Sequence, residues 1–194
     1  MRLGVFGGTF DPVHVGHLAI ANAALESVPL DRVVFVLARR SPLKERGPVA
    51  PEADRLRMLE LAIAGEPRFS VSRAELERDG PSYTVETLVR LSGADDLFLI
   101  LGSDAIADFP RWKDPERIAR LATLVVAERP GAPDRVGDAA IARFDAPRLD
   151  ISSRELRARA ARGLSLRYLV PEPAWKHILD RGLYRTEGST SRTT

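Results

Sequence analysis

Residues 2–27, RLGVFGGTFDPVHVGHLAIANAALES, hold a strand, a turn and a helix in immediate succession. The run 2–6 is apolar and of strand length, whereas 15–27 places Leu18, Ala21 and Leu25 at helical spacing. Between them runs Gly7-Gly8-Thr9-Phe10-Asp11-Pro12-Val13-His14-Val15-Gly16-His17. Two glycines after a strand let a backbone approach a ligand closely. The start of a helix offers unpaired N–H groups and the positive end of its dipole. His14 and His17 are three apart and share a face if both lie on the first helical turn. Two imidazoles beside a helix N-terminus suit a polyphosphate, as donors to charge growing on phosphoryl oxygens. A Gly-Gly turn alone also joins strands to helices that bind nothing, but the full eleven-residue string is far more specific. It is neither G-x-G-x-x-G nor a Walker A motif, which removes support for dinucleotide dehydrogenases and P-loop NTPases.

The alternation continues outward. Further strands are predicted at 32–38, 69–72, 97–101 and 123–127, with a weaker sixth inside 141–149. Helices are predicted over 53–64, 82–91, 104–109, 115–121, 153–162 and 172–180. The segment 39–51 holds three Pro, one Gly and five charges, and reads as a loop. Strands alternating with helices imply βαβ units: an α/β, Rossmann-like, doubly wound parallel sheet of five to six strands, with a small helical C-terminal part. Ligands of such sheets sit at the carboxyl ends of the strands, at the switch point. No repeat or divided linker is visible, so one domain is expected over 1–185, followed by a flexible tail, 186–194.

Composition narrows the classes. The chain has 194 residues, 44% hydrophobic and 29% charged, an ordinary globular mix. Its longest apolar runs, 33–38 and 122–127, are far short of the ~20 residues of a membrane-spanning helix. No secretory signal pattern opens the sequence. The absence of cysteine excludes disulfides, thiolate nucleophiles and Cys-ligated metals, and fits the cytoplasm. The net charge of +2 comes from 26 Arg and three Lys against 27 acids, which does not indicate a nucleic-acid-binding surface. The five Arg between Arg154 and Arg167 read as a solvated face.

A second motif is Ile151-Ser152-Ser153-Arg154-Glu155-Leu156-Arg157. Ser152-x-x-Glu155 reads equally as a helix capping box and as a phosphate-gripping set with Arg157. The first string resembles the T/H-x-G-H signature of the nucleotidylyltransferase superfamily, and the second resembles the I-S-S-T-x-x-R motif that closes its ATP site, with Arg154 in place of Thr. Four further segments resemble bacterial nicotinate-nucleotide adenylyltransferases. Pro42-Leu43-Lys44 is similar to their P-x-H-K loop, with Leu43 for His. Ser82-Tyr83-Thr84-Val85-Glu86-Thr87-Leu88 is similar to S-Y-T-x-x-T-L. Leu101-Gly102-Ser103-Asp104 followed by Phe109-Pro110-Arg111-Trp112 is similar to G-x-D…L/F-P-x-W. Arg129-Pro130-Gly131 and Arg167-Tyr168-Leu169-Val170-Pro171 complete the set, over about residues 2–185.

The resemblance implies AMP transfer from ATP to nicotinate mononucleotide, with release of pyrophosphate. It assigns His17 to the α-phosphoryl oxygens and His14 and Lys44 to neutralising the triphosphate. Gly7, Gly8, Thr9 and Phe10 would supply backbone contacts, and Ser152, Ser153 and Arg157 would grip the phosphates. Thr84, Trp112 and Lys113 would form the pyridine pocket, with Lys113 adding attraction for the acceptor's carboxylate if its ammonium turns inward. Gly102, Asp104 and Arg129 would contact the nucleotide. Mg²⁺ would ride on ATP without a dedicated protein cage. No nucleic acid or membrane partner is expected, and a homo-oligomer is open. Phosphopantetheine adenylyltransferase, an amide-preferring enzyme and a non-catalytic nucleotide-binding module are the competing readings. Each segment also has a bland role: Tyr83 and Phe109 as core, Asp104 as a cap, Lys44 and Arg129 as loop charges, and His177 as a structural residue.

Overall fold

The computed structural model describes residues 1–40, 42, 47–77, 80–93, 96–127, 135–136 and 139–185. β1 (Arg2–Gly8) sits inside the sheet, between β2 (Arg32–Leu37) and β4 (Asp96–Leu101), and runs parallel to both. β3 (Phe69–Ser72) pairs with β2, and β5 (Thr123–Ala127) with β4. Beyond β5 come β7 (Ala139–Phe144), also parallel, and the short antiparallel β6 (Arg135–Val136). The order is β3-β2-β1-β4-β5-β7-β6. The chain builds outward from β1 to β3, then crosses back to begin the other half at β4. The carboxyl ends of β1 and β4 therefore border the switch-point crevice.

The sheet is covered on both faces, which is why its strands read as continuous apolar runs. Val33, Phe35 and Leu37 of β2 pack into one core, with Phe6, Phe10 and Met58; Val34 and Val36 pack into the other, with Leu88, Leu99 and Phe109. That is the period of two of a strand. The first core is capped by α1 (Val15–Ser27), α2 (Glu52–Ile63), α6 (Ser153–Ala161) and α7 (Glu172–Asp180). The second lies under α3 (Thr84–Leu91), α4 (Ser103–Asp108) and α5 (Pro115–Leu121).

The doubly wound parallel architecture is as expected, with the two-residue β6 added. Some boundaries move. β1 continues through Gly7 and Gly8, which pair with Val36 and Leu37, so both glycines are strand residues. α3 begins at Thr84, two residues late, because Ser82 is turned toward the β2 end: its N–H donates to the Arg40 carbonyl at 2.9 Å, and its Oγ accepts the Arg39 N–H at 3.0 Å. α4 stops at Asp108 and a 3-10 turn, Phe109–Arg111, follows, since Pro110 has no N–H to continue an α-helix. β7 ends at Phe144, where its partner β5 ends at Ala127, so 145–150 have no strand to pair with. The predicted tail 186–194 lies outside the described residues.

α7 is fastened to α2 through one carboxylate. Asp54, only 5% exposed, accepts from His177 Nε2 at 2.9 Å and from Arg181 Nε at 3.1 Å. His177 is thus a structural residue, as the sequence suggested. Asp54→Ala leaves the half-buried His177 donor without its acceptor, and the expected cost is about 1 kcal/mol. Chemical denaturation reads this as a lowered midpoint with an unchanged slope; an unmoved midpoint refutes the assignment.

Candidate active site

The loop leaving β1 is held by its carbonyls. Arg55, 2% exposed on α2, donates Nη1 to the Thr9 and Ala38 carbonyls at 2.8 Å each and Nη2 to the Arg39 carbonyl at 3.3 Å. Burial pulls its pKa down, opposed by the nearby charges of Asp11 and Glu52. Arg157 Nη1 on α6 donates to the Asp11 carbonyl at 2.6 Å, and Ser153 Oγ donates to the Pro12 carbonyl at 2.9 Å. Phe10 takes a positive φ of 43° in this loop, and its ring is buried against Phe6 and Phe35. A Cβ on Gly8 would lie 3.0 Å from the Phe10 ring, whereas one on Gly7 would meet nothing within 4 Å. Gly8 therefore makes room for Phe10, and Gly7 presents an open stretch of backbone.

His14 and His17 come together as a stacked pair, with centroids 3.7 Å apart and planes at 29°. His14 precedes α1 and donates its backbone N–H to His17 Nδ1 at 3.2 Å. A neutral His17 ring whose Nδ1 accepts must carry its proton on Nε2. The His17 ring also meets Phe10 edge-on at 5.0 Å. A Cβ on Gly16 would lie 3.1 Å from His14 Nδ1, so the glycine between the histidines is what lets the His14 ring fold over. His14 is 6% exposed, and its Nδ1 is buried without a hydrogen-bond partner. Burial pushes its pKa down from 6.5 to about 4. At neutral pH burial therefore favours the uncharged ring. The α1 start is also less open than expected, because the Val15 N–H goes to the Leu169 carbonyl at 3.1 Å. That bond gives the Arg167–Val170 motif a role the sequence did not reveal.

On α6, Ser152 is the N-cap: its Oγ accepts the Glu155 N–H at 3.2 Å and donates to Glu155 Oε2 at 2.8 Å. The N-cap half of a capping box is formed, with Glu155 meeting the Ser152 hydroxyl, and Ser153 and Arg157, not Ser152, reach the β1 loop. Gly102 ends β4 and precedes α4, with open space where a Cβ would stand, and Asp104 follows within α4. Thr84 opens α3, which no side chain caps. Trp112 lies against Phe109 with ring centroids at 5.5 Å, and its indole Nε1 is buried without a partner. Lys113 does not offer a free charge: its Nζ is 2.7 Å from Glu86 Oε1 and 4.2 Å from the Tyr83 ring centroid. The ammonium thus turns toward Glu86, in the first turn of α3. Lys113, next to Trp112 in the chain, thus reaches α3 at Glu86 and stands over Tyr83, the residue before Thr84, while Gly7, Gly8, Thr9, Phe10, His14, His17, Ser153 and Arg157 gather at the end of β1. Lys44 and Arg129 lie outside the described residues.

Sequence reading missed Asp11 and Arg55. The only signal for Arg55 was an arginine set among Leu56, Met58 and Leu59 on an apolar helix face, and Asp11 was hidden inside a string read for its histidines. Among the described residues, no group of three or more His, Cys, Asp or Glu could hold a metal ion, and no helix is long and apolar enough to cross a membrane.

A strand–loop–helix with paired imidazoles at the switch point of a doubly wound sheet defines a nucleotide-binding α/β protein of the nucleotidyltransferase class. Residues 5–159 match the family described as Cytidylyltransferase-like. A Thermus thermophilus protein named "Probable nicotinate-nucleotide adenylyltransferase" is 49% identical over 188 residues, 95% of this chain and 100% of its own length. A Roseiflexus castenholzii protein of the same name is 46% identical, covering 95% of this chain and 98% of its own. This chain belongs to the nicotinate-nucleotide adenylyltransferase family. The fold also matches a Plasmodium falciparum nicotinic acid mononucleotide adenylyltransferase complexed with NaAD, at a TM-score of 0.71 and 19% identity over 94% of this chain and 97% of that one.

The burial of His14 has a measurable consequence. Its folded pKa, about 4, lies below the ordinary 6.5, so the unfolded chain binds more protons between those values. Stability therefore falls as pH drops from 6.5 toward 4, by up to about 3 kcal/mol from this ring. His14→Gln should flatten that part of the stability–pH curve. Parallel curves for variant and wild type in thermal unfolding would refute the buried neutral ring.

Proposed function

We infer that this chain transfers AMP from MgATP to nicotinate mononucleotide, giving NaAD and pyrophosphate, a step of NAD biosynthesis. The observation that carries the reading is the stacked His14–His17 pair beside a β1 loop whose carbonyls are held by Arg55 and Arg157. Family membership at up to 49% identity over nearly the whole chain supports the same reaction.

The acceptor's phosphate monoester is an anionic nucleophile already. Its oxygen attacks the α-phosphorus in line and pyrophosphate leaves with the bonding pair, so no strong general base is required. The chain's part is to position and to stabilise charge. His17 is suited to donate Nε2–H to an α-phosphoryl oxygen, because its Nδ1 is occupied by the His14 N–H. His14 is suited to act as a neutral neighbour that keeps the His17 ring upright by stacking. Gly7 offers open backbone, and Gly102 offers the same at the β4 end. Ser153 and Arg157 stand on the loop's other side, Ser152 fixes their helix, and Lys44 and Arg129 remain proposed phosphate and nucleotide contacts. Mg²⁺ belongs to the substrate in this scheme, bound by phosphate oxygens and water.

The acceptor's pyridine ring is assigned to the group at Thr84 and Trp112. A carboxylate accepts hydrogen bonds from two backbone N–H groups at the uncapped start of α3, where the dipole also favours it. The Lys113–Glu86 pair cancels the acidic charge that would otherwise repel it there. A neutral amide turns its NH₂ toward one of those donors, leaving it unsatisfied.

Two outcomes test the reading. His17→Ala lowers turnover by about 10²–10⁴-fold while changing ATP affinity little, because the contact strengthens as charge develops; near-normal turnover removes His17 from the chemistry. In a substrate panel, nicotinate mononucleotide exceeds its amide by at least about tenfold in kcat/KM, the ratio set by one opposed donor. Equal use of both overturns the pocket assignment, and preference for phosphopantetheine overturns the reaction.

A further inference from the structure

We propose that the Asp11 carboxylate and the Tyr184 hydroxyl are positioning residues for AMP transfer, through which the C-terminal turn sets the geometry of the histidine loop. Asp11 is 2% exposed, and three donors converge on its carboxylate. Oδ2 accepts the Val49 N–H at 2.7 Å; Oδ1 accepts the Ala50 N–H at 3.1 Å and the Tyr184 hydroxyl at 2.8 Å. Arg157 Nη1, which holds the Asp11 carbonyl, lies 3.8 Å from Oδ2. One side chain thus joins four segments: the β1–α1 loop, the lead into α2, helix α6, and the turn after α7.

A carboxylate this deep is tolerated because its oxygens are paired with donors and a guanidinium stands beside it. Those bonds converge on the residue between Phe10 and Pro12. In a trans peptide, the carbonyl of one residue and the N–H of the next point in opposite directions. With the Thr9 carbonyl turned to Arg55 and the Pro12 carbonyl to Ser153, the N–H groups of Phe10 and Val13 point away from those side chains. The aim of both amides follows from where residue 11 is held. The same anchor reaches His17 through its neighbour Phe10, whose ring meets the imidazole at 5.0 Å. Tyr184 is suited to this service. Burial and the Asp11 charge push its phenol pKa up, so it remains a donor throughout the working range of pH. It also sits beyond every motif that the sequence offers for the reaction.

The proposal rests on the AMP-transfer reading only for the choice of acceptor. The test uses the full chain carrying Tyr184→Phe, which keeps the ring and removes one oxygen, with Asp11→Asn as a second variant. Steady-state rates with ATP and nicotinate mononucleotide are measured beside calorimetric titration with ATP alone and thermal unfolding. For Tyr184→Phe, kcat is expected to fall about tenfold or more and ATP binding to weaken, while KM for nicotinate mononucleotide holds. Asp11→Asn is expected to lose more, because its NH₂ must face a donor. A lowered melting temperature with kcat and ATP affinity within about twofold of wild type makes the hydroxyl a structural tether and overturns the proposal. If Asp11→Asn does not fold, Tyr184→Phe decides alone. If the wild-type chain does not use nicotinate mononucleotide, the functional reading fails, and the ATP titration of Tyr184→Phe still decides this one.

Discussion

A charged side chain buried beneath a loop, the guanidinium of Arg55, is the constraint on which the nucleotide end of the sheet depends. A loop between a buried strand and a helix has carbonyls that neither element satisfies, and leaving them dry costs free energy. Arg55 resolves this for Thr9, Ala38 and Arg39 together, so the ends of β1 and β2 are held by a single planar group. Its positive charge is tolerable there because the Asp11 carboxylate stands nearby. Each of the two makes the burial of the other affordable, and the loop's shape is set between them.

The histidine pair follows from that frame. Once the loop is pinned, Phe10 folds into the first core at a positive φ, which only a well-packed site sustains in a bulky residue. Gly8 gives its ring space, and Gly16 gives space to His14. The two glycines are thus demanded by aromatic rings of the chain itself, before any ligand is considered. Stacking and the bond from the His14 N–H then fix the His17 tautomer. Chemistry that needs a donor in one place is met by packing that permits few others.

The architecture was legible because a parallel sheet covered on both faces leaves apolar runs that periodicity detects, as in 33–37. Boundaries were legible only where one residue governs them. Pro110 is visible, whereas the late start of α3 depends on Ser82 meeting Arg39, 43 positions away. The histidines stood out because imidazoles are rare here and fall in one string. What they could not reveal was charge state, since the depressed pKa of His14 comes from burial contributed by the whole fold. Asp11 and Arg55 were illegible for the same reason. A buried ion is recognised by its partners, and those partners, Val49, Ala50, Tyr184 and three carbonyls, are scattered along the chain.

The two groups of candidate residues are built by opposite means. At the end of β1 the backbone is immobilised from beneath by Arg55 and from the side by Arg157 and Ser153, which suits a site that must hold a reacting phosphorus in line. Beside α3 the charged pair is exposed and mutually neutralised: Lys113 pairs with Glu86 over the Tyr83 ring. An exposed pair of this kind contributes little to stability. What it does is balance charge at the first turn of α3, leaving backbone N–H groups and the helix dipole as the polar features of that end. Rigidity is concentrated at the end of β1, and charge balance beside α3.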